Sequence, residues 1–391
     1  MKRFENIFRT LFLLVSIVGT RTAMHAQESQ AAYMDSVEIG LLTCSPHNEV
    51  YSLYGHTAIH YHDLHTNRHW VFNYGVFDFK KPHFVWRFMM GQTDYRLEAT
   101  TNLNAWCQYY RKWGSQVEEQ ILDLTPTEKL RLRQALADNL RDPVYRYNFF
   151  YDNCSTRPRN IIEKCLEGEV AYAPREDSDD VTFRQIIHRC TEQHPWAAFG
   201  NDLLLGLGAD RTTTQREQQF LPQNLYTDFD RATISRPDGP HKLVKRKDIL
   251  VPLGQQTAEK EFPLSPRACT LLLLIVSTII AVCEWKRRTI LYWWDALLML
   301  VTGLAGCILL LMFFSAHPTT STNLQILLLN PLALLFLPTV VRRRPTRWFR
   351  ISEILLCAFL LGSIVQEYAE GMLIVALCLL IRCMIHRYND K

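Results

Sequence analysis

Tyr147-Asn148-Phe149-Phe150-Tyr151-Asp152-Asn153-Cys154-Ser155-Thr156-Arg157-Pro158 sets a cysteine among cap-forming residues at the start of a helix. Pro158 falls in the first turn, so Ser155 or Thr156 is the N-cap, and the helix should run to Leu166 and stop at Gly168. Cys154 then lies at the positive end of that helix. Backbone N–H groups there favour a thiolate and lower its pKa, and they can also stabilise an oxyanion on an attacked carbonyl. Such a nucleophile needs a base. Upstream, Tyr51-Ser52-Leu53-Tyr54-Gly55-His56-Thr57-Ala58 runs through Gly55 into a strand candidate beginning at His56. His56 would hold the thiol proton and deliver it to a leaving group. Asn73, at the end of the next strand candidate, is the group expected to orient the imidazole, with Asp63 as the alternate.

Working outward, Val37–Leu42, Thr57–Tyr61, His69–Asn73 and Gln120–Leu124 read as strands. Thr125-Pro126-Thr127-Glu128 is a capping box, and Leu132, Leu136 and Leu140 then share one helical face. Thr182–Cys190 is a further helix. Strands and helices in this order predict an α+β domain over residues 27–230. Residues 231–266 read as an irregular linker whose basic run, His241 to Lys247, either meets anionic headgroups or is simply solvated.

Two other constellations compete for the chemistry. Cys44 is a rival nucleophile, but Pro46 and the lack of a following helix count against it. His56, His60, His62, His65 and His69 could bind zinc, and His60 and His62 would share a strand face. No HExxH helix or CxxC pair accompanies them, so no metal and no cofactor is expected.

The chain has 391 residues with 43 basic and 39 acidic side chains, a balance that does not suggest nucleic acid. Lys2, Arg3 and Arg9 flank a short apolar core, Leu11 to Val18, and small residues follow, so residues 1–26 read as a signal peptide cleaved after Ala26. Of eleven cysteines, five (Cys44, Cys107, Cys154, Cys165 and Cys190) fall in the exported domain. An odd number cannot all pair internally in an oxidising compartment.

Residues 267–391 form a membrane domain of about five helices: Ala268–Val282, Ile290–Phe314, Leu324–Val341, Ile351–Val365 and Met372–Ile385. Basic residues follow the first span (Lys286, Arg287, Arg288), the third (Arg342, Arg343, Arg344) and the fifth (Arg387, Lys391). The loops after the second and fourth carry no Lys or Arg. Positive charge stays in the cytoplasm, so the first domain faces outward and the C-terminus inward. This predicts an inner-membrane protein with a periplasmic domain. His317 lies in the uncharged outer loop.

Several stretches together resemble the Lnb family of bacterial lipoprotein N-acyltransferases: LLTCSP at Leu41, YSLYGHTA at Tyr51, FNYGVFDF at Phe72 and YNFFYDNCSTR at Tyr147. PWAAFGNDLLLGLGAD at Pro195, FLPQNL at Phe220 and HPTTSTNLQILLLNPL at His317 extend the likeness over nearly the whole mature chain. The chain departs from the pattern at His47, where a glycine is expected. The resemblance implies a circularly permuted papain or NlpC-like fold in which the histidine precedes the cysteine, as in lecithin:retinol acyltransferase. It maps the nucleophile onto Cys154 and the histidine onto His56. It implies that an acyl chain passes from a membrane phospholipid, through a Cys154 thioester, to the α-amino group of a diacylglyceryl-cysteine lipoprotein. Tyr54, Tyr151, Arg157 and His317 are the expected substrate-binding residues. The rivals are a membrane-tethered NlpC-like peptidase or amidase using the same pair, and a non-enzymatic envelope scaffold.

Overall fold

Alternation decides the first strand. In β1 (Val37–Cys44), Val37, Ile39 and Leu41 enter one core while Leu42 and Cys44 enter a second on the opposite face. A computed structural model describes residues 30–78, 80, 82–176, 178–256 and 262–389, so the expected signal peptide, residues 1–26, lies outside the described residues. β2 (His56–Asp63) and β3 (Arg68–Val76) form an antiparallel hairpin. Asp63 closes its turn by accepting the N–H groups of His65 and Thr66. A short helix α1 (Phe84–Met89), β4 (Asp94–Thr100), α2 (Leu103–Lys112) and β5 (Val117–Leu122) follow.

The capping box at Thr125 is formed with Glu128, and it starts α3 (Pro126–Arg141). Next come β6 (Val144–Arg146), α4 (Thr156–Cys165) and the two-residue strand β7 (Val170–Ala171). α5 (Phe183–Thr191), α6 (Pro195–Leu204), α7 (Gln215–Gln218) and α8 (Pro222–Arg231) form a helical lobe. Leu132 and Leu136 of α3 and Ile162 of α4 pack on the β1 face that carries Val37, Ile39 and Leu41, whereas Leu140, at the end of α3, is exposed. Cys107 and Tyr110 of α2 cover Leu42, Cys44 and Ala58 from the other side.

The composition of residues 231–266 suggests an irregular linker, but the structure folds much of it. β8 (Thr233–Arg236), β9 (Gly239–Lys242) and β10 (Val244–Val251) occupy it. β8 lies between β7 and β9 in a small sheet. β10 pairs antiparallel with β5 and completes a seven-stranded sheet ordered β10-β5-β1-β2-β3-β4-β6. The basic run hides the strand because β10 is an edge, where charged side chains are tolerated on the solvent side. Val244 and Val251 are buried, while Arg246 pairs with Glu38 and Lys247 with Asp230. Two of the run's cations are thus neutralised by the protein itself.

The C-terminal region is helical: α9 (Pro266–Arg287), α10 (Tyr292–Phe313), α11 (Leu332–Val341), α12 (Trp348–Gly362) and α13 (Met372–Asn389). Among the described residues four stretches are long and apolar enough to cross a membrane; Trp348–Gly362, with 15 residues, is shorter. The third stretch, Leu324–Val341, is not one continuous helix. It begins as a 3-10 turn, Leu324–Leu327, and restarts after Asn330-Pro331. Gly306 of α10 permits that break to pack closely, since a Cβ there would lie 2.4 Å from the Leu329 carbonyl oxygen. Near the C-terminus of α13, buried Arg382 bonds both Glu284 of α9 and Asp295 of α10, and His386 Nε2 meets Asp295 at 2.8 Å.

The two parts are joined by buried hydrogen bonds. Gln325 donates to the Asp202 carbonyl, Asn323 to that of Leu203 and Gln366 to that of Leu205, while the Gly206 N–H donates to Thr319. Fully buried Arg184 of α5 holds this junction from the exported side. It bonds Asp202, Asp210 and the Leu205 carbonyl. Asn323 therefore serves the joint between the domains.

Candidate active site

Ser155 is the N-cap of α4, and Cys154 immediately precedes it. The cap is supplied by Asn153. Its Oδ1 accepts the N–H groups of Ser155 and Thr156, both at 2.9 Å, and its Nδ2 donates to the carbonyls of Phe149 and Phe220. Asn153 thus fixes the turn that presents the sulfur. The Asp-Asn-Cys-Ser-Thr run carried the signal for it, as an Asx turn at a helix start. The expectation that helix-end N–H groups serve an oxyanion is corrected at Ser155 and Thr156, whose donors are already engaged by Asn153.

β2 is tied to this turn by the Thr57 hydroxyl, 3.0 Å from that of Ser155. The result brings His56 into hydrogen-bond contact with the Cys154 thiol. His56 Nε2 is bonded to Asn73 Oδ1 on β3, which leaves Nδ1 for the sulfur. Asn73 is thus the group bonded to the imidazole, while Asp63 is occupied at the distant turn.

Burial alone would push the Cys154 thiol up. The His56 charge and hydrogen bond, the Thr57 N–H and the Ser155 hydroxyl outweigh it and hold the thiol below its ordinary value. Burial would likewise depress His56, but the Cys154 charge and hydrogen bond, with Asn73, raise it above its ordinary value. Both directions favour a thiolate–imidazolium pair. Cys44 is different. It is the register partner of His56, yet its thiol sits in the core under α2 against Tyr110, and desolvation pushes it well above the usual thiol range.

The pair opens into a cavity of about 810 Å³ whose lining is rich in Phe and Tyr. Tyr147, Phe149, Phe84 and Phe88 come from the exported domain, while Met312 and His317 come from the end of α10 and its outer loop. Gly75, with φ +90°, keeps the space beside the sulfur open. A Cβ there would lie 3.6 Å from both Cys154 Cβ and the Tyr147 ring.

Of the four expected substrate-binding residues, Tyr54 and His317 line the cavity. The Tyr54 hydroxyl accepts from Asn201 at 2.8 Å, and His317 Nε2 meets the Phe88 carbonyl at 2.8 Å. Tyr151 and Arg157 are not brought to it. The Tyr151 hydroxyl accepts from Arg211, and Arg157 forks onto Asp152 while stacking over Tyr145. Sequence reasoning missed the aromatic wall, because Phe and Tyr residues far apart in the chain give no local signal of a shared cavity.

Among the described residues no group of three or more His, Cys, Asp or Glu is arranged to hold a metal ion. His60 is instead bonded to Glu119 at 2.5 Å and to His69 at 3.0 Å, and His69 stacks on His62.

Comparison with protein families matches residues 25–189 to the Lnb N-terminal periplasmic domain and residues 257–391 to the Lnb transmembrane domain, a five-helix unit. The chain belongs to the Lnb family. No curated protein and no solved structure matches it. In Lnb terms, β2, β3 and the Cys154 turn lie in the periplasmic domain, and α9 to α13 lie in the transmembrane domain. The second side of the junction, α6, falls between the two matched segments.

Proposed function

We propose that this chain is a lipoprotein N-acyltransferase of the inner membrane, with its C-terminus in the cytoplasm. It takes a fatty acyl chain from a membrane phospholipid and passes it to the α-amino group of a diacylglyceryl-cysteine lipoprotein. The observation that carries this reading is the opening of the Cys154–His56–Asn73 line into an aromatic cavity shared with a membrane helix.

The Cys154 thiolate attacks the ester carbonyl carbon. Negative charge moves to the carbonyl oxygen, where the amide N–H of Cys154 is the candidate donor, since those of Ser155 and Thr156 are committed to Asn153. As the C–O bond breaks, imidazolium His56 protonates the departing glycerol oxygen, and lysophospholipid leaves. The thioester remains, and neutral His56 can accept a proton from the incoming amine. The amine attacks the thioester carbonyl, the C–S bond breaks, and the thiolate returns beside a protonated His56. Two half-reactions sharing one acyl-enzyme predict ping-pong kinetics. A largely apolar lining limits the access of water to the thioester. Tyr54 and His317 line the cavity, which supports a role for both in bounding the substrate.

A peptidase could use the same pair, but a cavity walled by Phe and Tyr suits acyl chains better than polar cell-wall peptide. Mass spectrometry of a lipoprotein N-terminus, from cells with and without this protein, tests the reading. Loss of one amide-linked acyl chain on deletion is expected, and an unchanged N-terminus rejects it. Peptide cleavage by the purified protein without acyl transfer would favour the peptidase.

A further inference from the structure

Helix α1 carries an apolar surface that the exported domain does not cover. Val85 is 69 % exposed, Trp86 50 % and Phe88 47 %, and Phe314, just beyond α10, is 68 % exposed. Scattered apolar residues on a surface need no explanation, but a group beside membrane helices does. The attachment of α1 is specific. The Ala316 N–H donates to the Met90 carbonyl at 3.0 Å, and the His317 ring meets the Phe88 carbonyl. Gly91 makes the approach possible, since at φ +64° a Cβ would lie 2.9 Å from the His317 nitrogen. α1 is therefore fastened just beyond the end of α10, where the apolar stretch Tyr292–Phe313 finishes. Arg87 turns back to pair with Asp94, leaving the outward side of α1 to Val85 and Trp86. Phe84 and Phe88 of the same short helix line the cavity together with Met312.

We infer that α1 is a membrane-immersed lip, with Val85 and Trp86 seated in the outer leaflet beside Phe314, and that acyl chains reach Cys154 from the bilayer past Phe84 and Phe88. The occupant of this surface is the lipid bilayer itself. Its continuity with α10 argues for lipid, and tryptophan suits the interface between headgroups and hydrocarbon. The passage half of this inference rests on the acyl-transfer reading, whereas the immersion half does not.

The test uses the full chain in vesicles of phosphatidylethanolamine and phosphatidylglycerol. A benzophenone side chain is introduced at position 85, 84 or 247, one at a time, and the sample is irradiated and analysed by intact-protein mass spectrometry. Lipid adducts are expected at 85 and at 84, and none at 247, on the far edge strand. Adducts at 85 alone would overturn passage through the lip. No lipid adduct at 85, or a cross-link from 85 to a second copy of the chain, would overturn immersion. The readout needs no turnover. Adducts at both positions with no acyl transfer would leave the lip standing and remove the enzymatic reading.

Discussion

Asn73 and Cys154 meet on the same imidazole: Asn73 holds His56 Nε2 while the thiol bonds His56 from the other side. The two come from β3 and from the start of α4, so the His56 ring is clamped between a strand and a helix end. Replacing Asn73 by Ala removes the orienting bond. Turnover is expected to fall about 10²-fold, a typical scale for losing a positioned proton carrier. Because Asn73 also supports the imidazolium, the alkaline limb of the pH–rate profile should move to lower pH. Steady-state kinetics across pH check both, and a variant slowed with an unmoved limb would contradict the role.

The pH window follows from the two shifts. Cys154 is held below its ordinary value of 9.0, so the thiolate is already present at pH values below 9.0 and is lost as pH falls through that lowered value. His56 is held above 6.5, so its proton is retained beyond pH 6.5 and lost as pH rises through the raised value. The first half-reaction should therefore be bell-shaped, with an acid limb from Cys154 and an alkaline limb from His56. Rapid-mixing measurement of lysophospholipid release should show it. Cys154→Ser should abolish the burst, since an unactivated hydroxyl replaces the thiolate.

Gly75 stands next to the nucleophile in a conformation that side chains resist. Gly75→Val adds atoms toward Cys154 and the Tyr147 ring and forces positive φ, at a cost of about 1–2 kcal/mol. A lower unfolding temperature is expected, together with slow acyl-enzyme formation. Intact-mass detection of the thioester separates the two effects, because thioester formation at the wild-type rate would show that the space is not used.

Arg184 is fully buried against Asp202 and Asp210 at the joint between the domains. Arg184→Met leaves Asp210 without this partner and Asp202 with His188 alone, and should cost roughly 3–5 kcal/mol. Differential scanning in detergent should show a lowered transition. Limited proteolysis should show faster cleavage near residues 206–214. An unchanged transition would mean that the joint does not depend on this ion pair.

Much of this protein was legible in one dimension. Periodicity in Val37–Leu42, the Thr125 capping box and the long apolar runs each act over a few residues, and local patterns carry them. The Cys154 turn was legible for the same reason, because Asn, Ser, Thr and Pro around a helix start have short-range preferences. β10 was not, since an edge strand buries so little that Val244-Lys245-Arg246-Lys247 looks like a solvated run. The commitment of Arg157 to Asp152 and of Tyr151 to Arg211 was equally hidden, because an ion pair or hydroxyl bond depends on where neighbours point.

The sequence by itself determined the order of parts: an α+β domain, then membrane helices, with a cysteine just ahead of a helix start. These follow from hydropathy, charge and capping, which are read along the chain. Only the tertiary structure decided that His56, Asn73 and Cys154 meet, and that α1 and the end of α10 wall one cavity. Those contacts join residues far apart in sequence, and sheet register and the close approach at Gly91 create them.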